Sequence, residues 1–348
     1  MDARAYLVED GRTGEVLLAR NPGRRVPIAS LTKMMTVLLT LERSRLDELV
    51  TVSPEAAAIG ESSIDLRAGE RISVRDLIEA CLIQSANDAA WALADQVGHG
   101  SESRFVALMN RRARQLGLKD THFVRPDGLD AAGHVSSARD VTTLARLLMQ
   151  KPMVRQIVAV RDATIAGGRQ LHTWNDLLGT YPGLVGVKTG HTAAAGWSEV
   201  GAVRGPGVTV YATILGSSAR GKRNDDLAEL MTWGLARFRV VQAISAGHVY
   251  ASAQTAYGRG SLDLVAPRSV GRAVVAGRSL VERVVAPAGV ELPVRKGQEL
   301  GEVRVYERGR LVARTPLVAA RSIDEPGDVG RAGWYLGRTA HNMWGWIS

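Results

Sequence analysis

Cysteine is nearly absent: Cys81 is the single one among 348 residues, which excludes an intrachain disulfide framework. Its setting, Leu77-Ile78-Glu79-Ala80-Cys81-Leu82-Ile83, is that of a packed thiol, not a reactive one. Apolar residues make up 45% of the chain, yet no run of about 20 of them occurs, so no membrane-spanning helix is expected. Aromatics are scarce at 5% and do not interleave with basic residues, and no helix-turn-helix or zinc-finger spacing is present. Nucleic acid is therefore not an expected partner. The seven histidines, at 99, 122, 134, 172, 191, 248 and 341, lack ligand spacing, so no metal and no cofactor is expected. The chain begins Met-Asp-Ala-Arg-Ala-Tyr without a basic, apolar, cleavable leader.

What the chain does have is positive charge, 44 Lys and Arg against 35 Asp and Glu, for a net +9. That favours an anionic partner. Its length allows a large core and more than one domain.

The strongest local feature is Ala29-Ser30-Leu31-Thr32-Lys33. It opens a stretch to Leu41 that is apolar on almost every face, as in a helix buried at a domain centre. Three residues apart, Ser30 and Lys33 project from one side within hydrogen-bond reach. A serine hydroxyl needs a base to become a nucleophile, and a lysine serves only if burial or nearby charge lowers its pKa. Taken alone, the pair also fits a serine that merely caps a helix.

Read in order, Ala5–Glu9 and Glu15–Ala19 flank Gly11-Arg12-Thr13-Gly14 as a hairpin. A helix is expected from Ser73 to Gln84, followed at Ser85-Ala86-Asn87-Asp88 by a second apolar helix to Val97. Polar residues between two buried helices need interior partners, though Asn87 or Asp88 would also serve as a plain cap. Helices follow at Glu102–Leu116 and Ala138–Gln150, separated by a turn-rich loop, Arg125-Pro126-Asp127-Gly128-Leu129-Asp130. Val185–Gly190, Trp197–Arg204 and Val208–Gly216 form an expected antiparallel meander, covered by a helix at Asp225–Val240. Within it, Lys188 and Thr189 offer a carboxylate a charge and a hydroxyl, and Gly190 lets a ligand lie along the backbone.

The order Ser-x-x-Lys, Ser-x-Asn, Lys-Thr-Gly is that of beta-lactamases and penicillin-binding proteins. Around these motifs, Pro27–Met35, Gly128-Leu129-Asp130, Ser136–Asp140, Gly186–Thr192 and Thr232-Trp233-Gly234 resemble the D-alanyl-D-alanine carboxypeptidases of the low-molecular-mass penicillin-binding protein family. The resemblance implies an α+β fold of beta-lactamase/DD-peptidase type, an antiparallel sheet with a helical cluster. It implies removal of the terminal D-alanine from peptidoglycan stem pentapeptides through an acyl-enzyme, and covalent capture of beta-lactam antibiotics. Ser30 is then the nucleophile and Lys33 its base. Ser85 relays a proton to the leaving amine, and Asn87 holds the substrate amide and Lys33. Lys188 keeps Lys33 neutral and steers the substrate carboxylate, and Thr189 hydrogen-bonds that carboxylate. The backbone N–H groups of Ser30 and His191 form the oxyanion hole beside Gly190. Arg223 matches the family arginine near the carboxylate, with Arg220 and Lys222 as close alternatives. Ala86 stands where the family commonly has glycine, and Trp197-Ser198 where Tyr-Asn is commoner. No equivalent of the class A beta-lactamase deacylating Glu is found, which argues against efficient antibiotic hydrolysis; a beta-lactamase and a non-hydrolytic wall-binding scaffold of the same fold are the alternative readings.

Beyond residue 240, alternating segments at Ser261–Val265, Arg272–Val275, Val281–Val285, Gly301–Tyr306 and Leu311–Arg314 fit a small all-β sandwich over 241–325. In 326–348, Val329, Gly333, Leu336, Ala340, Met343 and Ile347 define one helical stripe, with Trp334, Tyr335, Trp344 and Trp346 as interfacial aromatics. This reads as an amphipathic helix anchoring the chain to an anionic membrane surface, at the outer face of the bacterial cytoplasmic membrane.

Overall fold

The computed structural model describes residues 1–334 and Leu336, in two compact units that divide after Ala236. In the first, a hairpin of β1 (Ala5–Asp10) and β2 (Val16–Arg20) leads through a 3-10 turn, Ala29–Thr32, into α1 (Lys33–Arg43). Short strands β3 (Leu49–Thr51) and β4 (Arg71–Ser73) pair around α2 (Pro54–Ala57). Five helices follow: α3 (Val74–Leu82), α4 (Asn87–Gly98), α5 (Glu102–Gln115), α6 (Ala138–Leu148) and α7 (Pro152–Ile157). Ser73, Ser101 and Ser137 each accept a backbone N–H from the first turn of α3, α5 and α6, caps worth about 1 kcal/mol apiece. A small hairpin of β5 (Asp162–Ile165) and β6 (Arg169–His172) precedes the meander β7 (Leu184–Thr192), β8 (Gly196–Gly205) and β9 (Val208–Ser217), and α8 (Arg220–Leu235) closes the unit.

The main sheet runs β2-β1-β9-β8-β7, antiparallel throughout, so β7 is an edge strand. Both its faces are covered. Leu7, Val200 and Ala202 join the core of the helical cluster. On the other face α8 lies so close that a Cβ on Gly234 would stand 2.8 Å from Val8. Helix α1 runs through the centre of the cluster, buried from Lys33 to Thr40.

Two expected boundaries are corrected. The helix from Ser73 ends at Leu82, and Ser85 sits in the left-handed region at φ +67°, which breaks the helix. The helix expected at Asp225–Val240 spans Arg220–Leu235 instead, and Phe238–Ile244 is strand β10. Its first turn, Arg220-Gly221-Lys222-Arg223, carries no apolar periodicity to read, while the β-branched Val240 and Val241 pair with a neighbouring strand.

The second unit is all-β. Strand β10 pairs with β13 (Val270–Val275), and β11 (Val249–Thr255), β12 (Ser261–Val265), β14 (Leu280–Val285), β15 (Gly289–Val290), β16 (Glu299–Glu307) and β17 (Arg310–Ala319) form a six-stranded sheet. Ile244, Leu262, Leu264, Val303, Val305 and Leu317 pack as one core between them. Residues 328–334 are helical. Of the expected stripe, Val329 and Leu336 are exposed, at 89% and 72%, and Trp334 meets Tyr257 edge-on at 5.6 Å. Tyr335, Arg338, Ala340, Asn342, Met343, Trp344, Trp346 and Ile347 lie outside the described residues. Among the described residues no helix is long and apolar enough to cross a membrane.

Candidate active site

Ser30 stands on the second residue of the 3-10 turn, preceded by Ala29 at φ +49°, a conformation that L-residues rarely adopt. The turn is held from both sides by glycines. A Cβ on Gly128 would lie 2.0 Å from the carbonyl oxygen of Ala29, and one on Gly190 would lie 3.1 Å from the nitrogen of Ser30. At this position in the turn, helical geometry offers the Ser30 N–H no acceptor.

Lys33 follows on the first turn of α1, fully buried. Its Nζ lies 2.8 Å from Ser30 Oγ, 2.6 Å from Asn87 Oδ1 and 2.8 Å from the carbonyl oxygen of Asp127. The last two can only accept, so the amine must donate to both. A neutral amine is then left with its lone pair facing the Ser30 hydroxyl. Burial, the largest influence, pulls the pKa of Lys33 down to about 8, against the opposing pull of the Asp127 carboxylate.

Asn87 is the first residue of α4, and it does not act as a cap. Its Nδ2 donates to Gly60 O at 3.1 Å, which fixes Oδ1 toward Lys33. Next to it, Asp88 accepts from the backbone N–H groups of Ile64, Leu66 and Ala89, tying the 60–66 loop to the start of α4. Ser85 is buried and receives a bond from Lys188 Nζ at 2.8 Å. Ala86 is at φ −60°, so its side chain costs nothing where glycine is common; the strained residue is Ser85.

Lys188, Thr189 and Gly190 lie on edge strand β7. Lys188 Nζ also donates to Thr189 O at 2.8 Å, and burial, followed by the charge of Lys33, depresses its pKa strongly. Burial is the first cause of the lowered pKa of both amines.

Ser30, Ser85, Thr189, Gly190, His191 and Arg223 line one pocket of about 200 Å³, together with Ser62, Trp174, Trp197 and Arg220. Lys33, Asn87 and Lys188 are buried beside it, Lys33 bonded to Ser30 and Asn87, and Lys188 to Ser85. Larger hollows of about 470 and 610 Å³, by Arg155 and by Trp91, hold none of these groups. The rim is stacked: His191 lies on Trp197 at 3.9 Å, and Arg220 lies over both Trp197 and Trp174 at 5.9 and 5.6 Å. Trp174 Nε1 donates to Gln84 O, next to Ser85.

Arg223 is only 1% exposed, and its Nη2 reaches Asp176 Oδ2 at 3.3 Å. Arg220 pairs with Asp176 through both Nε and Nη2. Lys222, the other alternative, is not among the pocket-lining residues.

Sequence reasoning missed four contributors. Asp127 accepts Arg125 through both carboxylate oxygens as well as Trp91 Nε1, and so presents its carbonyl to Lys33. Trp174, Asp176 and Glu199 complete the arginine wall. Of these, only Asp127 lay in a segment with any signal, the turn-rich loop.

The D-alanyl-D-alanine carboxypeptidase family matches residues 1–219, and the penicillin-binding protein 5 C-terminal domain family matches 238–325. The D-alanyl-D-alanine carboxypeptidase DacD of Salmonella typhimurium is 32% identical over 352 residues, covering 97% of this chain and 90% of that protein. DacA of Escherichia coli is 31% identical, with 99% and 89% covered. Among solved structures, penicillin binding protein 5 of Haemophilus influenzae superposes with a TM-score of 0.68 at 28% identity, covering 93% of this chain and 98% of that one. Penicillin binding protein 6B of Escherichia coli gives 0.69 at 29%, with 91% and 95% covered.

Proposed function

The chain belongs to the D-alanyl-D-alanine carboxypeptidase family, and on that footing we propose that Ser30 attacks the carbonyl between the last two D-alanines of a peptidoglycan stem peptide, releasing the terminal one. The observation that carries this is the bonding of Lys33. With both its donors committed to Asn87 Oδ1 and Asp127 O, the neutral amine takes the proton of Ser30 Oγ as the Oγ–C bond forms.

The developing oxyanion is met by the backbone N–H groups of Ser30 and His191, which Gly190 brings together by allowing β7 against the turn. Each such donor is typically worth about 10²–10³ in rate. As the C–N bond breaks, Ser85 passes a proton to the leaving amine from the Lys33 side, while Asn87 holds the substrate amide. Water then cleaves the Ser30 ester by the same base. Thr189 and Arg223 take the terminal carboxylate. Arg223 has Nε and Nη2 engaged, and its Nη1 has no protein acceptor among the described residues. A beta-lactam presents the same pair of groups, an acylating amide and a carboxylate, and forms the ester without a departing amine.

The enzyme works at the outer face of the cytoplasmic membrane, held there by 326–348. The exposed Val329 and Leu336 support that reading.

The deciding experiment is mass spectrometry after incubation with a penicillin, for the parent and for Ser30→Ala. A single adduct on the parent and none on the variant is expected, with release of D-alanine from a diacyl-D-Ala-D-Ala peptide by the parent alone. No Ser30-dependent adduct overturns the assignment. An adduct without D-alanine release points to a scaffold, and rapid loss of the adduct to a beta-lactamase.

A further inference from the structure

One buried acid has no part in the steps above. Glu199 lies on β8 opposite Thr189, on the face covered by α8, with none of its surface exposed. Neither of its carboxylate oxygens has a hydrogen-bond partner. Its nearest charge is Arg223 of α8, whose Nε lies 3.2 Å from Oε2 but donates to Asn224 Oδ1. The other charged groups facing it are Arg220 on the same helix, Asp176 in the segment before β7 and Lys188 on β7.

These groups make a simple sum. Asp176, held ionised by bonds from Arg220 and Asn224, cancels one guanidinium. Lys188, bonded to Ser85 Oγ and Thr189 O, contributes the same charge whichever form Glu199 takes. If Glu199 is ionised it cancels the second guanidinium, and the wall carries no net charge. If Glu199 is protonated, the wall is left with one positive charge beside Thr189, with Arg223 Nη1 as the open donor.

We infer that Glu199 is a positioning residue whose protonation strengthens the hold of Arg223 on the substrate's terminal carboxylate, so that binding of a carboxylate ligand takes up a proton at Glu199. This rests on the reading of Thr189 and Arg223 as the carboxylate site. Burial places Glu199 where such a switch works near neutrality, its pKa pushed up to about 7. A second anion sharing Arg223 raises it further, by about one unit or more. Linkage then makes the ligand bind more weakly as pH climbs, about tenfold between pH 6 and 9 for a one-unit shift.

The test uses the full chain with Ser30→Ala, which binds without acylating, and a diacyl-D-Ala-D-Ala peptide. Calorimetry at pH 7.5 in phosphate and in Tris, whose ionisation heats differ, should reveal net proton uptake. The Kd should rise with pH from 6 onward. Adding Glu199→Gln should cut the uptake severalfold and flatten the Kd between pH 6 and 7, leaving the later limb, with its small residual uptake, that belongs to Lys33. No uptake in the Ser30→Ala protein, or the same uptake with Glu199→Gln, overturns the inference, and the first of these needs no second variant. A peptide that binds, with a Ser30 adduct in the parent, leaves the proposed function standing whatever Glu199 does. A peptide that fails to bind at any pH removes both.

Discussion

A carboxylate placed 2.6 Å from Lys33, where Asn87 now offers an amide oxygen, would hold the amine in its charged form. Lys33 is lowered to about 8, so its neutral fraction, and with it acylation, rises as pH climbs through 8. For Asn87→Asp that rise should move upward by one unit or more, and acylation by penicillin at pH 8 should drop by at least about fivefold. Stopped-flow acylation rates from pH 6 to 10 check it; an unmoved profile would refute the role of Lys33 as base. The five groups Ser30, Lys33, Ser85, Asn87 and Lys188 were legible because chemistry-bearing residue types stand at short fixed spacings. Glu199 was not, since Ser198-Glu199-Val200 alternates as a strand with one solvent-facing side would. Only α8, arriving from later in the chain, buries that side.

The turn bearing Ser30 is clamped by the backbones of β7 and of the 125–130 loop, and the clamp depends on Gly128. At φ +90°, and with any Cβ 2.0 Å from Ala29 O, Gly128→Ala should cost about 3 kcal/mol or more. That corresponds to a Tm lower by roughly 10 °C, read by calorimetry. It should also slow acylation, since Lys33 donates a hydrogen bond to the same loop. An unchanged Tm would show that the loop gives way. Strands and most helices could be read from period and capping. The start of α8 could not, because its first turn is polar and is fixed by Asp176 rather than by any apolar stripe.

Two separate cores, one around α1 and one within the β unit, explain why the composition of the chain changes near residue 240. A net charge of +9 draws a protein toward anionic surfaces, which is what the proposed anchoring by 326–348 requires. Co-sedimentation with anionic liposomes should therefore be strong for the full chain, weaken with salt, and fall several-fold for a chain ending at Glu325. Equal binding by both would sink the anchor. The two-unit order was readable from the shift in periodicity. The docking of Trp334 on Tyr257 was not, because sequence spacing shows a stripe but not what lies beside it.

The stacked rim has an optical consequence. Trp174, 47% exposed, and Trp197, wedged between His191 and two guanidiniums, stand at the mouth of the pocket. A ligand entering there strips water from one indole and disturbs the stack on the other, so the protein carries its own fluorescent reporter of occupancy. Pocket filling can be followed by emission from unlabelled protein, before any covalent bond has formed.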